Sequence, residues 1–446
     1  MEEKLKRADL KLITVFFMIF ILCSSGPYGL EDMISSSGPG LSLLMLLFLP
    51  FFWSVPMGLI CTELGSAIPE EGGFYKWVQR GLGEFWGFQA GWWQSLSVIV
   101  DTAVYVVLAV GYINNWLGLP PFGRWLLCFV LICIFAYINI RGIEAVGLSS
   151  TLFSLIILAP LVPLIILGFA NWQFNPFVPL MPEGQSLFDS LGLGLAIAIW
   201  LYSGYESMST MAGEMNNPQK LIPQALLISI PVIIAVYFFP VLAGLVSVGQ
   251  WESWATSEGI SFVELGEALG GPILAIVIFI GALVSNLALY NSYLASGTRP
   301  FFVMANDNLF PKFMSKTHPK FKTPYISILV MAGIHAILAI GTFDILIVID
   351  VFLFIFAYIL IFITAIALRI KEPDLPRPFR IPMSTPVLIA FCIPPLILAV
   401  VTLFTNGIEY IIGGTIGAIS GPVAYFIFKK LYGGLSSKPA SNETAS

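Results

Sequence analysis

Apolar runs of about 18 residues or more recur along this chain from Leu12 almost to its end, separated by short polar connections; that length matches a helix crossing about 30 Å of hydrocarbon. In order, the runs predict twelve spans, near 12–34, 40–68, 85–116, 124–141, 149–170, 188–213, 223–249, 271–305, 325–342, 344–369, 383–404 and 410–430. The predicted fold class is therefore an all-α polytopic membrane protein. The largest connections, near 70–84, 250–270 and 306–324, suit gates or interfacial helices rather than a soluble domain.

Two of the runs are interrupted. In the first, Ser24-Ser25-Gly26-Pro27-Tyr28-Gly29 leads directly into the acids Glu31 and Asp32, near mid-depth. Irregular backbone survives at that depth only beside a cavity or inside protein, and charge there is usually functional. In the sixth, Trp200-Leu201-Tyr202-Ser203-Gly204-Tyr205-Glu206-Ser207 places a glycine, hydroxyls and an acid mid-span. Paired breaks at corresponding places in two five-span halves point to an inverted-repeat transporter with its substrate between the unwound segments. The expected organisation is an arm at 1–11, a transport core at 12–370 with repeats at about 12–170 and 188–370, spans eleven and twelve within 371–430, and a tail at 431–446.

Composition and charge agree with a membrane location. With 57% hydrophobic and 11% charged residues, the chain cannot cover a water-soluble surface. Every one of the 21 Lys and Arg except Arg124 falls in the N-terminal arm, the tail, or the connections and adjoining span ends on one side, which predicts cytoplasmic termini in a plasma (cell inner) membrane. Met1 to Lys11 before an apolar run could pass for a secretion signal, but no small-residue cleavage site follows, and the first span is expected to be retained. The opposite loops and their margins hold Glu183, Asp189, Glu252, Glu258, Glu264, Glu267 and Glu409. These acids are either the complement of the positive-inside bias or a mild attractant for a cationic solute. The five cysteines lie in apolar spans without paired spacing, and His318 and His335 have no ligand spacing around them, so neither disulfide, metal nor cofactor is expected.

Four motifs in order carry a family resemblance: TELGSAIPEEGGFYKWV from Thr62, YSGYESMSTMAGEMNNPQKLIP from Tyr202, SGTRPFFVMANDNLFPKF from Ser296 and LRIKEPDLPRPFRIP from Leu368. From about Leu12 to Pro382 the chain resembles the amino acid, polyamine and organocation superfamily of secondary transporters. GPYGLED from Gly26 and WGFQAGWWQSLSVIVDTAVYVVL from Trp86 look like the first and third spans of its polyamine and proton symporters. The resemblance implies a LeuT-like fold with broken first and sixth helices. It also implies that Glu206 couples gating or protonation, that Tyr293 stands at an aromatic gate with Asn286 about two turns away, and that Glu63, with Glu214, holds inner-gate bonds to cations.

Residue chemistry points the same way. Amino acid carriers of this fold cradle a carboxylate on free amides at the first break, whereas Pro27 has no N–H and Tyr28 fills space. An ionised Glu31 or Asp32 facing the cavity would repel a carboxylate and favour an ammonium. Asp101 lies deep in span three, on one helical face with Tyr105, and no Lys or Arg occurs in spans one, three or six to neutralise it. A linear polyamine offers ammonium groups spaced by methylenes, matching separated acids with aromatic walls. Tyr28, Trp93, Trp200, Tyr202, Tyr205, Tyr290 and Tyr293 are candidate walls, although any single aromatic in so apolar a chain also suits packing or an interfacial belt. Gly26, Pro27, Gly29 and Ser203 complete the candidate substrate site.

The partners expected are a cationic small molecule, a proton and the bilayer, with no nucleic acid, and a monomer or weak homodimer. Span five, from Ser149 to Ala170, has no ionisable side chain, so a proton would ride on Asp101, Glu206 or one of Glu31 and Asp32. Sodium coupling and amine exchange remain alternatives. An amino acid permease or antiporter is the competing transporter reading. A sensor or channel lacks a cytoplasmic domain or pore loop, and a membrane enzyme lacks a His cluster or activated nucleophile.

Overall fold

The computed structural model describes residues 5–254, 260–340, 344–405 and 408–435, and every named element among them is helical. Glu258 and the tail from residue 436 lie outside the described residues. Among the described residues, seven helical stretches are long and apolar enough to cross a membrane: Pro39–Ala67, Glu84–Gly111, Pro121–Arg141, Ile143–Ala170, Pro218–Ser247, Phe262–Asn306 and Leu353–Lys371. Three shorter apolar helices, Leu12–Cys23, Tyr325–Leu338 and Thr385–Val401, accompany them.

Both interrupted runs are broken helices. The first run forms α1 (Leu12–Cys23) and α2 (Glu31–Ser37), separated by Ser25, Gly26 and Gly29 at positive φ. Such backbone ends a right-handed helix, and Pro27 supplies no donor with which to continue it. The sixth run forms α10 (Leu187–Leu201), turns at Gly204 (φ 101°), and continues as a 3-10 helix at Ser207–Glu214. Asp189 and the Ser186 side chain cap the start of α10. In order between these runs come α3 (Pro39–Phe52), α4 (Ser54–Ala67), α5 (Phe74–Leu82), α6 (Glu84–Leu117), α7 (Pro121–Arg141), α8 (Ile143–Leu158) and α9 (Leu161–Ala170). After them come α11 (Pro218–Ser247), α12 (Phe262–Asn306), α13 (Tyr325–Leu338), α14 (Asp344–Lys371), α15 (Thr385–Thr405) and α16 (Ile408–Tyr432).

The second and fifth runs are also divided, at Trp53 and at Ala159–Pro160, where proline removes a helical hydrogen bond. Gly271 (φ 70°) bends α12, leaving a short helix from Phe262 before the long one. Of the three largest connections, the first carries α5 and the second this short helix; the third carries a 3-10 turn at Lys312–Ser315.

α6 packs against α12 and α14, α1 against α8, α11 and α12, and α10 against α2 and α3. Residues of both breaks and of the middle of α6 border one cavity. Large apolar side chains lie exposed on α7 (Phe122, Phe129, Ile134), α15 (Ile393, Ile397) and α16 (Ile416, Val423, Phe426), an outward face suited to lipid.

Candidate substrate-binding site

A cavity of about 50 Å³ opens where the breaks converge. Leu22, Cys23 and Ser24 form one wall, and Trp200, Leu201, Ser203, Gly204 and Glu206 form the wall across from the other break. α6 contributes Gln94, Ser97, Val98, Asp101 and Tyr105, a single helical face at three- and four-residue spacing. Leu289 and Tyr293 come from α12, Tyr237 from α11, and Phe354 and Tyr358 from α14. No lysine, arginine or histidine lines this cavity among the described residues.

Both of its carboxylates are held by phenols. Tyr105 Oη donates to Asp101 Oδ2 at 2.9 Å, and Tyr105 stacks on Tyr293 with centroids 6.1 Å apart. Glu206 is 1% exposed. Its Oε2 accepts from Tyr358 Oη at 2.5 Å, and its Oε1 accepts from Gln94 Nε2 at 3.1 Å and Ser207 Oγ at 3.0 Å. Each of the two acids thus has hydrogen bonds and no ion pair among the described residues.

Tyrosines also satisfy the backbone that the breaks release. Tyr293 Oη donates to Leu22 O at 2.9 Å, and Tyr237 Oη lies 2.9 Å from Leu201 O and 3.3 Å from Cys23 O. Gly204 N donates to Tyr358 Oη at 2.7 Å, so amide, phenol and Glu206 form one chain. A side chain at position 204 would meet Leu22 O as well as strain the positive φ. In the first break, Gly26 N donates to Ser24 Oγ at 3.2 Å and Gly29 N to Glu31 Oε2 at 2.8 Å. With Pro27 lacking an N–H, these neighbouring amides are already engaged.

Of the residues proposed from sequence, the cavity gathers Asp101, Tyr105, Trp200, Ser203, Tyr293 and Glu206. Others lie elsewhere. Glu31, 2% exposed, accepts from Gly29 N and, at 3.2 Å, from Phe262 N, so it joins the start of α2 to the start of α12. Tyr28 meets Phe262 edge-on at 6.2 Å, and Asp32 follows on α2 without lining the cavity. Trp93 donates to Ala418 O at 3.0 Å against α16. Tyr202 donates to Leu46 O at 2.7 Å, while Tyr205 is buried beside the break without lining the cavity. Asn286 donates back to Ala282 O at 3.0 Å, and Tyr290 pairs with His335 at 3.2 Å. Gly26, Pro27 and Gly29 shape the break without lining the cavity.

Glu63 sits apart, 2.5 Å from Arg369 and 3.3 Å from Arg377, with Ile381 N donating to it at 2.8 Å. Glu214 pairs with Arg299 at 2.7 Å. Arg369 lies on α14 and Arg299 on α12, while Arg377 lies in the connection after α14. The cavity also uses Gln94, Ser97, Tyr237 and Tyr358, which the sequence reading passed over. Gln94, Ser97, Asp101 and Tyr105 recur at helical spacing, and that polar stripe in an apolar run was the available signal.

The amino acid permease family profile matches residues 10–420. Polyamine transporter RMV1 of Arabidopsis thaliana is 32% identical over 406 residues, covering 89% of this chain and 81% of the relative. Polyamine transporter PUT1 of Oryza sativa subsp. japonica is 31% identical, covering 94% and 79%. The branched-chain amino acid permease BcaP of Bacillus subtilis is 26% identical, covering 98% and 96%. A helical membrane chain with broken helices around a buried acidic cavity, and with these similarities, belongs to the amino acid permease family of transporters.

Proposed function

We propose that the protein is a secondary active transporter that imports polyamines or related organic cations, such as putrescine, spermidine or agmatine-like amines, by proton symport and alternating access. In this reading the chain crosses the plasma membrane twelve times, ten spans form two inverted repeats, and both termini are cytoplasmic. The observation that carries it is the pairing of Asp101 and Glu206 in one aromatic-walled cavity, with no cationic side chain on its lining among the described residues. An entering ammonium would supply the missing positive charge, and Trp200, Tyr105 and Tyr293 would add cation–π attraction of about 0.5–2 kcal/mol each.

The similarity to the plant polyamine transporters supports the amine substrate. So do the engaged amides of Gly26 and Gly29, which leave little to receive a carboxylate at the first break. The second reading, an amino acid permease or amino acid/amine antiporter, draws on the family match and on BcaP. Asp101 and Glu206 are the groups on which a coupling proton would ride.

A thermal-shift screen of the purified protein against diamines, polyamines and amino acids separates the two, because a ligand of the native state raises its apparent stability. Amines are expected to raise the midpoint while neutral amino acids leave it unchanged; stabilisation by amino acids alone overturns the polyamine reading. Repeating uptake across a pH series in proteoliposomes tests proton coupling.

A further inference from the structure

A second cavity, of about 10 Å³ and so with room for a single water-sized group, adjoins the first and shares Gln94 and Val98 with it. Its polar lining is Gln94, Ser95, Ser207, Thr210 and Ser296, and it contains neither an acid nor a base among the described residues. Ser95 is 1% exposed and Gln94 6% exposed. Ser95 Oγ and Gln94 Oε1 nevertheless have no hydrogen-bond partner among the described residues. A buried polar atom without a partner is costly, so a group that donates to both belongs there.

The other hydroxyls sharpen the chemistry of that group. Ser207 directs its proton to Glu206 Oε1 at 3.0 Å, and Thr210 directs its proton to the carbonyls of Ser207 and Ser296 at 2.8 and 3.0 Å. Both oxygens can therefore only accept, as can Gln94 Oε1. Three of the site's oxygens thus accept, and Ser95 Oγ accepts as well while keeping one proton of its own, so the site is rich in acceptors and suits a group with several donors, which is the character of an ammonium.

The position matters as much as the chemistry. Ser95 precedes Asp101 by six residues on α6, about 9 Å of helical rise, and Gln94 Nε2 contacts Glu206 between the two cavities. Asp101, Glu206 and the second cavity thus succeed one another towards the end of the molecule where Glu214 pairs with Arg299.

Resting on the polyamine reading above, we propose that the second cavity is a neutral subsite for the leading terminal ammonium of a triamine or longer polyamine. Asp101 and Glu206 hold two ammonium groups of any substrate, and the neutral cage discriminates by length. Lacking a carboxylate, it releases its ammonium more readily than the acids do, which suits an exit side.

The test is titration of the purified full-length protein, wild type and Ser95→Ala, with putrescine, spermidine, and spermidine acetylated on one terminal amine. In the variant the affinity for spermidine relative to putrescine falls about tenfold, as expected for a lost hydrogen bond to a charged group, and the acetylated amine follows putrescine. Equal weakening of all three, which would mark a bound water, or no change in the ratio overturns the length subsite. Failure of every amine to bind the wild type overturns the polyamine reading and the subsite with it. Ser296→Ala repeats the measurement from another wall should Ser95→Ala fail to fold.

Discussion

At the scale of single residues, a carboxylate in an apolar run announces itself, because leaving it uncompensated costs several kcal/mol. Asp101, Glu206 and Glu31 were all conspicuous for that reason, yet only the first two line the cavity. Glu31 meets the same cost with two backbone amides, from Gly29 and Phe262. Sequence cannot distinguish an acid awaiting a cation from one resting on amides, since the distinction depends on a helix start more than two hundred residues away. Gln94 and Tyr358 were illegible for the opposite reason: neutral and amphipathic, they cost little in a span and resemble packing residues. Asp101 carries the sharpest residue-level prediction. Asp101→Asn keeps the shape and a partner for Tyr105 but removes the charge, so putrescine or spermidine uptake into proteoliposomes falls roughly tenfold or more, about the contribution of one charge-assisted hydrogen bond. Near-normal uptake, or strong competition by neutral amino acids, contradicts the assignment.

At the scale of elements, the breaks in the first and sixth runs were legible because Gly26, Pro27 and Gly204 have conformational consequences wherever they stand. The groups that make the breaks tolerable were not. Tyr237, Tyr293 and Tyr358 come from α11, α12 and α14, and only the packing brings their hydroxyls to Leu22, Cys23, Leu201 and Gly204. The interruption at Trp53 likewise escapes a reading of hydrophobic runs, because Pro50 and Pro56 are themselves apolar enough to continue the pattern. Tyr237→Phe tests what a phenol contributes at a break. It leaves the ring contact with Tyr202 and removes one hydroxyl, so the protein loses about 1 kcal/mol or more, read as a lower unfolding midpoint in detergent. An unchanged midpoint places the stabilising donor elsewhere.

At the scale of the whole molecule, ion pairs collect at one end. Glu63 with Arg369 and Arg377, Glu214 with Arg299, Lys76 with Asp307 and Arg80 with Glu372 all join elements distant in sequence. Glu71, in the connection between α4 and α5, adds a second acid 4.0 Å from Arg299. Burial, and then the neighbouring Glu214 charge, push the Glu71 carboxyl well above its ordinary value, against the pull of Arg299. A raised value means that the folded protein holds a proton the unfolded chain releases. The associated stability is complete below the ordinary carboxylate range and is lost as pH rises through the raised value. The unfolding midpoint of the wild type therefore declines towards alkaline pH more steeply than that of Glu71→Gln, and parallel curves for the two proteins refute this role.

The hydroxyl of Tyr237 has one proton and two carbonyls, Leu201 O and Cys23 O, within reach. The two broken helices thus share a single donor, and the phenol ties the end of α1 to the end of α10 beside the cavity that both border. In the amine reading, an entering ammonium with its three donors would let that phenol serve one backbone end alone.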